Sequence, residues 1–435
     1  MNRTLTDRQA ALEDIGRLRR PVRSPEDLDP LLDRIGNARF VLIGEASHGT
    51  SEYYTWRARI SQRLIAERGF SFVAVEGDWP DCFELNCWVK GNADRDLSAR
   101  DVLKRFDRWP TWMWANLEVA EFAEWLRAHN RTSRGNVGFY GLDVYSLWES
   151  LDRVMEYLAE HDGSSIPDAM EAARCFEPYD RDPQRYAFAT RLTPAHCEDA
   201  VIELLRDLRL NRRSDGGGEA EFDAMQNAEV LAGAERYYRT MVRADGESWN
   251  VRDCHMADTL DRLIQHHGPD SKAIVWEHNT HVGDARATDM AAAGMVNVGQ
   301  LVRQRHADDG VVLIGFGGYE GSVIAASSWG ADMQRMPVPP ATHDSHEALI
   351  HEVTDEPSLF VFPERDARAW LSQTRGHRAI GVVYHPDRDR FGNWVPTELG
   401  RRYDALLSFD LTEALHPIHA IASPDREYET YPWTT

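Results

Sequence analysis

The chain has 435 residues, 42% of them hydrophobic, which is enough for one large or two to three ordinary domains and argues against disorder. Its formal net charge of −22 disfavours a nucleic-acid-binding surface, which needs clustered Lys and Arg, and no apolar run approaches the roughly 20 residues of a membrane helix. Five scattered cysteines (Cys82, Cys87, Cys175, Cys197 and Cys254) argue against a disulfide framework and for a cytoplasmic protein with reduced thiols. Met1 to Arg20 is charged and polar, without the apolar core of a signal peptide.

Helical spacing runs from about Thr4 to Leu18, and Pro21 to Pro30 reads as a turn-rich connector. Phe40 to Ile43 is short, apolar and stopped by Gly44, the pattern of a buried parallel strand. Directly after it, Glu45, Ser47 and His48 stand between Gly44 and Gly49, and a helix is expected from about Ser51 to Glu67, capped by Thr50 or Ser51. A second strand, Phe72 to Val75, ends in Glu76-Gly77-Asp78, with Asp78 placed to cap a short helix from Pro80 to Val89. Cys82 and Cys87 are core residues of that helix. Arg108 to Trp114 opens a helix predicted to reach about Arg127, and a strand from Asn136 to Tyr140 ends in Gly141-Leu142-Asp143.

From about Tyr145 to His267 the pattern changes to long helices at Ser146–Leu158, Ala195–Leu210, Ala220–Val242 and Val251–His266, with an exposed loop at Gly216-Gly217-Gly218. Strand signals return at Ala273–Trp276, Val311–Phe316, Ser322–Ala326, Ser358–Val361, Ile380–Tyr384 and Ala405–Phe409. Strands therefore come from both ends of the chain. The expectation is a single α/β domain over residues 1–435, with a central, mostly parallel sheet flanked by helices. Residues 145–267 form a helical insertion capping the carboxyl edge of the sheet, and the chain after Tyr319 adds a smaller antiparallel edge.

In open α/β sheets, ligands bind beyond the carboxyl ends of the strands. Three strand ends carry chemistry there: Glu45 with His48, Glu76, and Glu277-His278-Asn279-Thr280-His281. Arg57, one to two turns into the first helix after the loop, joins this neighbourhood. No Gly-x-Ser-x-Gly is present, so an ordinary nucleophile elbow is missing. His346-Glu347 followed by His351 misses the zinc-protease spacing by one residue, which moves the second histidine off the shared helix face. Gly315-Phe316-Gly317-Gly318 reads as a hairpin turn between two short strands. Two chemical readings of His278 and His281 are open: a divalent metal site completed by a glutamate, or acid and electrophile in a metal-free site.

Gly44-Glu45-Ala46-Ser47-His48-Gly49, Val75-Glu76-Gly77-Asp78 and His278-Asn279-Thr280-His281-Val282-Gly283-Asp284 resemble the erythromycin esterase family. Asn250-Val251-Arg252-Asp253 before Met256-Ala257, and a hairpin from Gly317 to Ala325, add to the likeness. The resemblance implies a hydrolase that opens a macrolide lactone by attack of water, without a serine acyl-enzyme and without a cofactor. Carried onto this chain, it makes His48 the general base, supported by Glu45 and Glu76 with Arg57 beside them. His278 and His281 face the same cleft, polarising the carbonyl or protonating the leaving alkoxide. Arg252, Asn279 and Asp143 are the expected substrate contacts. The implied partner is a small-molecule ester or lactone, with neither nucleic acid nor membrane. The alternatives are a metal-dependent hydrolase using His278 and His281, and a non-catalytic protein that binds a small ligand.

Overall fold

The computed structural model describes residues 2–93, 96–132, 136–161, 165–192, 196–210, 218–242, 246–363 and 368–420. Among them are β1 (Arg20–Pro21), β2 (Phe40–Ile43), β3 (Phe72–Val75), β4 (Gly138–Gly141), β5 (Ala273–Trp276) and β6 (Val311–Ala326). The chain continues with β7 (Met333–Val338), β8 (Ser358–Val361), β9 (Arg375–Arg378), β10 (Trp394–Thr397) and β11 (Ala405–Thr412). The main sheet has the order β1-β8-β11-β6-β2-β5-β3-β4, with β7 paired to β6, while β9 and β10 form a separate ribbon. From β11 to β4 every neighbouring pair is parallel. Among the described residues of this sheet, antiparallel pairing is confined to β8 on β11, β1 on β8 and β7 on β6, and the β9–β10 ribbon is antiparallel as well. The result is a mixed α/β fold with a mostly parallel central sheet between helices.

The short apolar strands are buried on both faces, which is why they read as continuous runs. Alternate residues divide between two cores. Val41, Ile43, Val73, Val75, Ile274 and Trp276 face one, and Phe40, Leu42, Phe72, Ala74, Ala273 and Val275 face the other. The register is flush at the carboxyl edge: Ile43 lies opposite Trp276, Trp276 opposite Val75, and Val75 opposite Gly141. Whatever follows these four residues in sequence emerges at one level.

Between β4 and β5 lie the helices Leu147–His161, Ile166–Phe176, Pro183–Leu192, Glu198–Leu210, Gly218–Met241 and Glu247–His267. The first shows why: Leu147, Leu151, Val154 and Leu158 make one apolar stripe at spacings of four and three. That stripe packs with Leu204, Leu231 and Tyr237 into a core separate from those of the sheet. Sequence reading missed Ile166–Phe176 and Pro183–Leu192, which are short and opened by prolines that read as breaks. Gly216 and Gly217 of the expected loop lie outside the described residues, and Gly218 starts a helix.

Several other expectations are corrected. Gly315-Phe316-Gly317-Gly318 is not a turn, because β6 runs unbroken for 16 residues through it with β11 paired alongside. The glycines serve close packing: a Cβ on Gly315 would meet the Tyr403 ring at 2.7 Å, and one on Gly318 the Tyr53 hydroxyl at 2.6 Å. The hairpin joins β6 to β7 instead, across residues 327–332. Residues 380–384 form only isolated bridges, because Ile380 pairs with Ser47 while Val383 pairs with Ala326. The helix expected to open at Arg108 begins at Leu117, where the Asn116 side chain accepts the Val119 N–H at 2.8 Å. Cys175 and Cys197 form a disulfide, with their Cα atoms 5.8 Å apart, whereas Cys82, Cys87 and Cys254 are unpaired thiols. The expectation of five reduced cysteines fails because the helical region brings together two residues 22 apart in sequence. No described helix is long and apolar enough to cross a membrane.

Substituting Gly315→Ala should therefore lower the unfolding free energy by about 1–3 kcal/mol through overpacking against Tyr403. Urea denaturation measures it, and an unchanged midpoint would contradict the packing account.

Candidate active site

The stretch after β2 folds back on itself so that Glu45 and His48 meet side by side. His48 Nδ1 lies 2.8 Å from Glu45 Oε1, and Arg57 Nη2 donates to Glu45 Oε2 at 2.9 Å. Arg57 is fully buried on the helix Ser51–Arg68, its guanidinium 4.1 Å from the Tyr54 ring centroid and 5.2 Å from that of Trp276. A carboxylate held by arginine only accepts, so His48 carries its proton on Nδ1 and presents Nε2 as an acceptor. Ser47 is turned away, buried and hydrogen-bonded to the Thr50 hydroxyl.

A second cluster forms beside the first. Glu76, directly after β3, accepts the His278 backbone N–H on Oε2 at 2.8 Å and Arg252 Nη2 on Oε1 at 2.7 Å. Arg252 also grips Asp143 through Nε at 2.9 Å and Nη2 at 2.7 Å, a two-pronged contact. Its Nη1 lies 3.2 Å from His281 Nε2, while His281 Nδ1 lies 2.9 Å from Asp253 Oδ1. Since a guanidinium only donates, His281 also holds its proton on Nδ1. Trp249 stacks flat on the His281 ring at 4.5 Å. The His48 and His278 rings lie 4.8 Å apart, and His278 Nδ1 is 2.8 Å from the Thr280 hydroxyl.

Charge balance follows from these contacts. Burial alone would raise the Glu76 carboxyl, but His281 beside it and the Arg252 guanidinium hold it well below the usual carboxylate range. Burial, with the nearby His48 adding to it, pushes His278 far down, which favours a neutral ring. Burial opposes the charge on Arg252, yet Asp143, Tyr145 and Glu76 keep it firmly protonated. Glu277 is fully buried with neither carboxyl oxygen hydrogen-bonded, and burial, then Glu76 and Asp253, drive it upward toward the neutral acid.

All nine sequence candidates converge at this edge, but only four line the cleft: His48, Glu76, Asp143 and Arg252. Glu45 and Arg57 stand behind His48, and His281 stands behind Glu76 and Arg252. Asn279 is buried, its side-chain amide bonded to the Phe316 backbone. Trp109, Trp114, Tyr145 and Trp329 make the apolar walls. Sequence reading passed over Asp253, Tyr145 and Trp249. Arg252 and Asp253 side by side among the buried Trp249, Val251, Met256 and Ala257 were the available signal, since a charged pair inside an apolar helix needs partners.

The residues do not fit a divalent metal at His278 and His281. Both ring nitrogens of His281 are engaged, one of them with a guanidinium where a cation would have to sit. Among the described residues, no three His, Cys, Asp or Glu side chains meet in a metal-holding arrangement. His346 and His351 do not converge either, one being buried and the other exposed beside Asp410.

Residues 65–412 match the family model for erythromycin esterase. The chain belongs to the erythromycin esterase family. The type II erythromycin esterase of Escherichia coli is 29% identical over 128 residues, 29% of each chain, so that match spans under a third of the relative's length. The type I enzyme of Escherichia coli is 23% identical over 321 residues, covering 66% of this chain and 74% of that one. A mutant of the erythromycin esterase EreC, in its open conformation, superposes with a TM-score of 0.65 at 18% identity, covering 89% of this chain and 94% of that one, which establishes a shared fold.

Removing the shared cation should be severe. Arg252→Gln strands Glu76 and Asp143 together, and a loss of about 3–5 kcal/mol in unfolding free energy is expected by chemical denaturation. Glu76 titrates below its unfolded range, so its stabilising contribution is complete above that range and fades as pH falls through it. In Glu76→Gln the drop in stability between about pH 5 and 3 should accordingly be shallower than in the wild type. Equal acid slopes would rule out a depressed Glu76.

Proposed function

We propose that the protein hydrolyses a carboxylic ester or lactone by direct attack of a water molecule activated by His48. The observation that carries this reading is the chain Arg57–Glu45–His48: it fixes the imidazole with its proton on Nδ1 and its acceptor nitrogen on a residue that lines the cleft. As the water oxygen attacks the carbonyl carbon, its proton passes to His48 Nε2. Glu45 steadies the resulting imidazolium, and Arg57 holds Glu45 in place through Nη2. The tetrahedral intermediate collapses by breaking the bond to the alkoxide, which takes the proton back from His48. The Arg252 cation at the cleft wall favours the negative charge that develops on the carbonyl oxygen.

Glu76 and Asp143 act in this scheme by holding Arg252, while His281 and Asp253 brace it from behind. His278, kept neutral, packs against His48 and orients it. Asn279 holds the loop rather than the substrate. A serine acyl-enzyme is disfavoured because Ser47 bonds inward to Thr50 and lines no part of the cleft. The aromatic walls suit an apolar substrate body, and the names of the relatives put macrolide lactones among the first substrates to try.

The test is hydrolysis of a panel of esters and lactones, erythromycin included, by wild type and His48→Ala, each with and without chelator. His48→Ala should lose about 100- to 10,000-fold in kcat with its fold intact, and chelator should change nothing. Turnover that survives in His48→Ala would overturn the assignment of the base.

A further inference from the structure

The sequence's near-miss of a zinc-binding helix has a different use. The helix His346–Val353 turns His351 outward against Tyr319 and Asp410 but buries His346 and Glu347. Glu347 Oε1 lies 2.7 Å from His377 Nδ1 and accepts the Arg378 backbone N–H at 2.9 Å. From that one oxygen two arms reach the catalytic loop.

The first arm runs through His377 Nε2, 3.3 Å from Asn279 Nδ2. The strand β6 fixes which way this amide faces: Nδ2 donates to the Phe316 carbonyl at 2.7 Å and Oδ1 accepts the Phe316 N–H at 3.2 Å. The atom facing His377 is thus a donor, His377 Nε2 must accept, and its proton sits on Nδ1 toward Glu347. Asn279 in turn donates its backbone N–H to the Glu45 carbonyl at 2.8 Å. Its Oδ1 also fills the space at residue 44, where a Cβ would stand 2.1 Å away, so only glycine fits there. The second arm follows the chain from Arg378 to Ile380, whose N–H donates to the Ala46 carbonyl at 2.8 Å. Glu45 is therefore gripped at its own carbonyl and at that of its neighbour. Neither Glu347 nor His377 lines the cleft.

We propose that Glu347 and His377 are positioning residues: through Asn279 and Ile380 they set the backbone that aims Glu45 at His48. The proposal rests on the reading of His48 as the base.

The two imidazole nitrogens can be tested separately. His377→Asn keeps an amide near the Nδ1 position and so retains the partner of Glu347 but loses Asn279. His377→Gln places its amide near Nε2 and does the reverse. The expected result is a fall in kcat of about 10- to 100-fold in His377→Asn with KM little changed, and near wild-type kcat in His377→Gln. A purely structural role, in which the pair only covers a buried carboxylate, gives the opposite order in both kcat and Tm, and would overturn the proposal. Hydrogen exchange at residues 43–50 reads the loop without turnover, and faster exchange is expected in His377→Asn and in Glu347→Leu, which removes the one oxygen that anchors both arms. Unchanged exchange in folded Glu347→Leu overturns the proposal whether or not any ester is hydrolysed. Faster exchange in a protein that hydrolyses nothing would instead keep the positioning role and remove the esterase reading.

Discussion

Two buried arginines hold the reactive edge of the sheet together. Glu45, Glu76, Asp143 and Asp253 are all withdrawn from water within a small space, and such a group of carboxylates is stable only with cations and donors to match. Arg57 answers Glu45, with aromatic faces taking the remainder of its surface. Arg252 answers Glu76 and Asp143 together and braces His281. Each arginine sits on a helix and each carboxylate at or near a strand end, apart from Asp253, which shares a helix with Arg252. The ion pairs therefore also fix how the helices Ser51–Arg68 and Glu247–His267 lie against the sheet. Packing and chemistry depend on the same contacts.

Among the buried histidines of the described residues, one device occurs three times. In Glu45–His48, Asp253–His281 and Glu347–His377, a carboxylate lies within hydrogen-bond reach of Nδ1 and leaves Nε2 as an acceptor. What differs is where the second nitrogen stands. On His48 it belongs to a residue of the cleft, on His281 it meets Arg252, and on His377 it meets Asn279. In the proposed scheme one construction thus serves as base, as brace and as positioning arm, according to what its second nitrogen meets.

The parallel strands were legible because burial on both faces leaves an unmistakable apolar run, and β2, β3, β5 and β8 match their expected limits residue for residue. The site was legible for a related reason: Glu45, His48, Glu76 and His278 follow those runs directly, and flush register carries sequence adjacency into spatial adjacency. What sequence hid were contacts that carry no local periodicity. The glycines of β6 looked like a turn because a strand that needs glycine for close packing and a turn that needs it for conformation are written alike. The charged pair Arg252-Asp253 in an apolar helix signals that partners are needed but not that one is His281, 28 positions away, and nothing within a few residues of His377 signals Asn279, 98 positions away. The Cys175–Cys197 pairing depended on helices whose arrangement no spacing rule encodes.

The strand order has a consequence for how the molecule comes into being. β2 and β3 follow one another in the chain, yet in space β5 lies between them. Until Ala273 to Trp276 leave the ribosome, the two strands have no common neighbour, and Glu45 and Glu76 belong to separate halves. The helical region must therefore be synthesised, and wait, before the strand that joins them arrives. Such a non-local closure is slow, and it exposes the unpaired edges of β2 and β3 in the meantime. The candidate site is thus completed only late in synthesis, and a chain truncated before residue 273 would carry its first two acidic strand ends without ever forming it.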